Sequence, residues 1–147
     1  EEQCAKVGNG YARIINLEYY KNVYYLEQVG ELPVPTRDNY VFTGWVDEEG
    51  NPVDAETIYT YTDDITLTAT WEPTITYELN GGTNSTINKP TYTEEDLPKR
   101  LYSPTKDGYK FIGWKLNGEF VTEIPAGTSG PITLEAVWQK IEEFLKK

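Results

Sequence analysis

The stretch "DNYVFTGW" at residues 38–45 recurs 69 positions later as "DGYKFIGW" at residues 107–114. A repeat constrains a chain more than any other feature, because each copy must be one supersecondary unit with the same internal packing. The match extends both ways. Upstream, "LPVPTRDNY" (32–40) aligns with "LYSPTKDGY" (101–109), keeping Leu, Pro, Thr, a base, Asp and Tyr in register. Downstream, "DDITLTATW" (63–71) aligns with "SGPITLEAVW" (129–138) at an offset of 67, so the hairpin between the matched blocks is two residues shorter in the second copy. Near the front, "KVGNGY" (6–11) corresponds weakly to "ELNGGT" (78–83), and "NLEYYKNVYYLEQVG" has no clean counterpart. The units so defined are residues 3–72 and 75–139, followed by a tail, 140–147. They join at Glu72-Pro73-Thr74, a link whose shortness and proline predict limited hinge motion.

Each unit reads mostly as strand. "TITYEL" (74–79) alternates and ends in Asn80-Gly81-Gly82, a strong turn signal. "YKFIGWKL" and "EFVTEI" are joined by Asn117-Gly118, the dipeptide of a two-residue hairpin, where the first copy has the longer, acidic "DEEGNP" (47–52). Each unit closes on Ile-Thr-Leu-x-Ala-x-Trp, with Ile, Leu and Ala on one face of a strand. Long helical periodicity is absent. "TYTEEDLP" (91–98) supports one helical turn beginning at Thr93 and stopped by Pro98, and "LEYYKN" (17–22) supports the same in the first copy. In the tail, Ile141, Phe144 and Leu145 are spaced like a helix face too short to be stable alone. The fold class is mostly β with little helix (α+β).

The repeated phrase reads as architecture. Tyr40 and Phe42, like Tyr109 and Phe111, share the side of a strand that both copies retain, which is the side expected to be buried. Gly44 and Gly113 stand just before Trp, where a strand glycine often marks a bulge. A bulge resets the alternation and returns Trp45 and Trp114 to the core side. Trp71 and Trp138 are expected at the far rim. Four Trp in two equivalent places would also suit sugar stacking, but a unit of about 70 residues needs such side chains for its own core.

Composition narrows the chemistry. There is no His, which removes the usual general base and most transition-metal sites. The single Cys4 makes neither an internal disulfide nor, without His, a credible thiol nucleophile. No phosphate-binding glycine loop is present. Asp47, Glu48, Glu49, Asp63 and Asp64 lie in predicted turns, where acids are ordinarily solvated; as hard oxygen ligands they would suit Ca²⁺, but their spacing is not that of an EF-hand. No catalytic residue, cofactor or metal ligand is assigned, and no enzyme activity is expected. The net charge of −11 is concentrated in residues 1–73, with 14 acids against 4 bases, while residues 74–147 carry 10 against 9. An acidic first half argues against nucleic acid and anionic membranes as partners. No apolar run is long enough to insert in a bilayer. Lacking Met and starting at "EEQC", the chain reads as a processed product or fragment, with any targeting signal expected outside it.

Taken together, Asn-Gly-Gly after a strand, Pro-Thr-base-Asp-(Asn/Gly)-Tyr-x-Phe-x-Gly-Trp, and the closing Ile-Thr-Leu-x-Ala-x-Trp resemble the Listeria–Bacteroides repeat, also called the internalin B-repeat family. The resemblance covers residues 75–138 of the second unit and 32–71 of the first, and "NLEYYKNVYYLEQ" departs from it. It implies two tandem β-grasp (ubiquitin-like) domains, an extracellular location on a bacterial cell surface, and a non-catalytic role as spacer, stalk or adhesion module beside neighbouring repeats of a longer chain.

One segment points to a partner. "EYYKNVYYLE" (18–27) holds four Tyr, and two adjacent pairs cannot all face inward on a strand. Some of Tyr19, Tyr20, Tyr24 and Tyr25 are therefore expected to be exposed, as suits a surface for a host or bacterial protein or glycan. The plainer alternative is an edge strand whose Tyr side chains shield its backbone.

Overall fold

A computed structural model describes residues 11–14 and 19–142. The chain divides into two compact units, Glu1–Trp71 and Glu72–Lys147. Both are built from strands, and the only helical element among the described residues is one 3₁₀ turn, Glu94–Asp96. Cys4, the turn at 6–10 and residues 143–147 of the predicted tail helix lie outside the described residues.

The first unit contains β1 (Tyr11–Ile14), β2 (Tyr19–Asn22), β3 (Tyr40–Val46), β4 (Pro52–Val53) and β5 (Ile65–Pro73) in one sheet ordered β2-β1-β5-β3-β4. The opening hairpin is antiparallel, Tyr11 opposite Asn22 and Ile14 opposite Tyr19. The opening and closing strands then run parallel, Ala12 beside Ile65 and Ile14 beside Leu67. Residues 19–22, expected in a helical turn, are thus a strand. The ladder to β1 satisfies their backbone groups, and aromatic residues fit a pleated surface better than an isolated turn of helix.

The second unit contains β6 (Ile75–Glu78), β7 (Lys99–Arg100), β8 (Tyr109–Leu116), β9 (Glu119–Val121), β10 (Glu123–Ile124) and β11 (Ile132–Lys140). Its main sheet is ordered β6-β11-β8-β9, with β7 and β10 forming a separate ribbon. Its opening and closing strands are again parallel, Ile75 beside Ile132 and Glu78 beside Glu135. Antiparallel strands close with a hairpin, but a parallel pair needs a long crossover, and here the rest of the unit supplies it. The predicted helical turn is the 3₁₀ turn, preceded by Thr93. The predicted strand "EFVTEI" divides instead into β9 and β10. Thr122 accepts a hydrogen bond from Leu101 N (3.1 Å), and β10 leaves β8 to pair with β7.

Period-2 alternation builds one core in each unit. Val23, Val29, Trp45, Val53, Tyr59, Ile65 and Leu67 bury together in the first. In the second, Ile75, Tyr92, Trp114, Leu116, Ile124, Leu134 and Ala136 do so. Trp45 and Trp114 are 4% and 2% exposed. The side of the strand that Trp114 takes is set by an irregularity: Phe111 pairs with Trp138 and Gly113 with Val137, so Ile112 is an extra residue and the inward phase shifts by one. Burial follows it, with Phe111 half-buried, Ile112 exposed, and Trp114 and Leu116 buried.

Truncating Trp114 removes the largest buried side chain of its core, so Trp114→Ala is expected to cost about 3–5 kcal/mol. Denaturant unfolding monitored separately for each unit checks this, with the second unit shifting and the first unchanged. An unchanged midpoint for the second unit refutes the core assignment.

Candidate functional site

The repeated motif assembles into one local structure in each copy. Tyr40 N–H donates to Arg37 O and Tyr109 N–H to Lys106 O, both at 3.1 Å. Asn39 and Gly108 bring the chain round at φ of 65° and 79°. This left-handed region favours Gly and tolerates Asn, which explains why the alignment shows only these two there. The base stacks on the tyrosine it precedes, Arg37 Cζ 3.7 Å from the Tyr40 ring centroid and Lys106 Nζ 4.0 Å from that of Tyr109. The indole N–H of Trp45 donates to Pro33 O at 3.0 Å, and that of Trp114 to Tyr102 O at 3.1 Å. Phe42 meets Trp45 and Trp71 edge-to-face at 5.2 and 5.6 Å. Phe111 meets Trp114 and Trp138 in the same way, both at 5.4 Å.

The Asn-Gly-Gly turn is the seat of the closing tryptophan. Asn80 and Gly81 adopt positive φ, and Trp138 donates its indole N–H to Leu79 O at 2.9 Å. The Asn80 side chain donates to Ala136 O (2.9 Å), and Lys106 Nζ donates to Asn80 O (2.7 Å). A Cβ on Gly82 would lie 2.3 Å from the Trp138 ring. The glycines before the buried tryptophans are kept for different reasons. Gly44 has φ of +139° with open space around it, whereas a Cβ on Gly113 would meet the Phe120 ring at 3.0 Å.

The structure separates the four tyrosines. Tyr19 and Tyr20 are half-buried in β2, with Tyr19 packed against the first core. Tyr24 and Tyr25 stand out in a turn at 60% and 47% exposure. Leu26 and Ile58, which the sequence reading did not single out, are exposed with them.

Asp47 requires a correction: it is not a solvated turn acid but is buried, at 6% exposure. Its Oδ1 accepts from Glu49 N and Asn51 N at 2.9 and 2.8 Å. Its Oδ2 accepts from the Tyr61 hydroxyl at 2.7 Å and the Asn51 amide at 3.3 Å. The Tyr61 hydroxyl, with the Asn51 and Glu49 amides, holds this carboxyl below its ordinary value of 3.8 against the opposing effect of burial. Burial, and then the Asp47 hydrogen bond, push the Tyr61 phenol up. The signal was in the alignment: Asp47 stands 69 residues before Leu116, which is a core residue of the second unit. Both Asp47 oxygens being engaged by the chain, the carboxylate serves the hairpin rather than a cation. Among the described residues no cluster of three or more acidic or thiol side chains is arranged to hold a metal, and no helix is long and apolar enough to cross a membrane.

Two predictions follow from this geometry. Gly82→Ala drives a methyl into the Trp138 ring and is expected to destabilise the second unit by about 1–3 kcal/mol, read from its denaturant midpoint. Because the Asp47 carboxyl is depressed in the folded chain, it contributes stability above its ordinary value of 3.8, and that contribution is lost as pH falls through the lower folded value. The first unit should therefore lose melting temperature on acidification, and Asp47→Asn should lower its melting temperature at neutral pH while flattening that dependence. Calorimetry of both proteins across the acidic range tests it.

Comparison with known proteins matches this arrangement twice. The family model of the Listeria-Bacteroides repeat domain matches residues 8–70 and again residues 74–137. Internalin H of Listeria monocytogenes serovar 1/2a (strain ATCC BAA-679 / EGD-e) is 37% identical over 78% of this chain. The matched region spans only 22% of that internalin's own length. No solved structure matches the chain. The repeated turn, the buried tryptophan and the closing strand are thus the marks of a known module, and the chain belongs to the Listeria–Bacteroides repeat family, of which it carries two tandem copies.

Proposed function

We propose that this chain is a non-catalytic tandem module of a bacterial cell-surface or secreted protein, serving as a semi-rigid spacer and protein-interaction segment. One observation carries the reading: the residues that the copies share are spent on turns and cores. Trp45 and Trp114 are buried, Arg37 and Lys106 cover Tyr40 and Tyr109, and Gly82 seats Trp138. A catalytic module repeats its reactive groups; this one repeats its packing. The strand order β2-β1-β5-β3-β4, with parallel opening and closing strands, supports a β-grasp domain as the unit. The likeness to internalin H supports an extracellular bacterial setting. The acidic first half disfavours nucleic acid and anionic membrane surfaces.

A second reading, an adhesin that binds a host protein or glycan through the first unit, is favoured by the exposure of Tyr24 and Tyr25 where the second copy has no counterpart. A binding screen of residues 1–147 against glycans and host extracellular proteins, with and without Ca²⁺, separates the two. The spacer expects no saturable ligand, and a narrow distance distribution between dyes placed on the two units. The adhesin expects saturable binding that a folded Tyr24→Ser/Tyr25→Ser variant loses.

A further inference from the structure

The turn carrying Tyr24 and Tyr25 is built at a cost that the fold does not recover. Leu26 has φ of 66°, a conformation that L side chains rarely adopt, yet its side chain is 61% exposed. Glycine would hold this backbone with less strain, as it does at Gly30, where φ is 78°. The turn is nevertheless rigidly held. Leu26 N–H donates to Tyr59 O (2.8 Å), Glu27 N–H to Tyr24 O (3.0 Å) and Tyr59 N–H to Glu27 O (2.8 Å). Buried Val23 and Val29 anchor its two ends at 2% exposure each. Ile58, which forms an isolated antiparallel bridge with Gln28, adds a fourth exposed apolar side chain at 45%. Large apolar groups held outward on a fixed backbone bind with a reduced ordering cost, and aromatic anchors of this kind carry binding energy in protein interfaces.

The surrounding charge narrows the partner. Residues 19–71 contain ten carboxylates and two cations. Both cations are turned to the chain itself: Lys21 Nζ donates to Glu31 O at 2.6 Å, and Arg37 stacks on Tyr40. Glu27 is exposed within the turn, and Glu31, Asp54 and Glu56 are exposed on the segments around it. Such a field attracts cationic surfaces and repels anionic ones.

We propose that the Tyr24–Tyr25–Leu26 turn, with Ile58, is a docking point for a protein partner that presents a short segment of apolar side chains interspersed with lysine and arginine. This rests on the second reading above, that the first unit is adhesive. The four side chains pack on the apolar residues of that segment, and the exposed carboxylates face its lysines and arginines.

The test selects a phage-displayed library of short random peptides on the whole 147-residue chain, with a glycan array run beside it. The expected result is enrichment of peptides that combine Lys or Arg with aromatic or aliphatic residues, binding more weakly as salt rises. Their affinity should fall at least about tenfold in Tyr24→Ser/Tyr25→Ser and in Leu26→Gly, and be unchanged in Phe120→Ser on the second unit. Leu26→Gly should melt no lower than the parent, because the strain is removed and little packing is lost. That combination separates a contact residue from a structural one. A lower melting temperature for Leu26→Gly, enriched peptides without basic residues, or affinity indifferent to the turn overturns the inference. Saturable glycan binding with no enriched peptide overturns it while leaving the adhesin reading in place; no ligand in either, with the host-protein screen also negative, overturns both.

Discussion

Each unit depends on an indole whose two needs are met in different ways. Trp114 is almost wholly withdrawn from water, and an indole N–H in that position must find an acceptor or forfeit the gain of burying the ring. Tyr102 O provides it, as Pro33 O does for Trp45, and in both copies the acceptor lies 12 residues before the tryptophan. The approach to β8 and β3 is thereby tied to the core. Edge-to-face contacts through Phe111 and Phe42 then carry the packing on to Trp138 and Trp71. The turn glycine or asparagine, the stacked base and the strand irregularity all serve to bring that indole to its place at the correct phase.

Much of this was legible in the sequence because duplication acts as an internal control. Two copies that keep Tyr, Phe, Gly and Trp while exchanging Val41 for Lys110 and Thr43 for Ile112 reveal which side of the strand packs. Asn117-Gly118 marked its hairpin, and Thr93 and Pro98 bracketed the helical turn at Glu94–Asp96. The failures have a common origin in pairing with distant segments. Tyr19–Asn22 is a strand because β1 lies beside it, and "EFVTEI" divides because β7 competes for its second half. Neither competitor is visible in the local pattern.

The candidate surface was only partly legible for the same reason. Alternation showed that four tyrosines cannot all be inside, but the turn at Leu26 decides which two come out. Asp47 shows the converse. Its local context is an acidic turn, and its buried state follows from Tyr61, which lies 14 residues further on. A polar group there is tolerable because all the hydrogen bonds it needs come from its own hairpin and that phenol. The second unit reaches the same place with Leu116 and a shorter turn. Equivalent positions in repeats can therefore be filled by an apolar side chain or by a satisfied polar one.

The contact between Trp138 and the Asn-Gly-Gly turn bridges 59 residues, joining the first turn of its unit to the last strand. The parallel pairing of β6 with β11 spans a similar interval, from Ile75 to Ile132. Loop closure of that length must be achieved before either contact is rewarded. During synthesis, the second repeat is consequently expected to stay open until its final strand has emerged, and then to close as a whole. A second repeat cut short of that strand is therefore expected to leave no folded half behind, which makes the complete repeat the smallest piece that can be gained or lost cleanly.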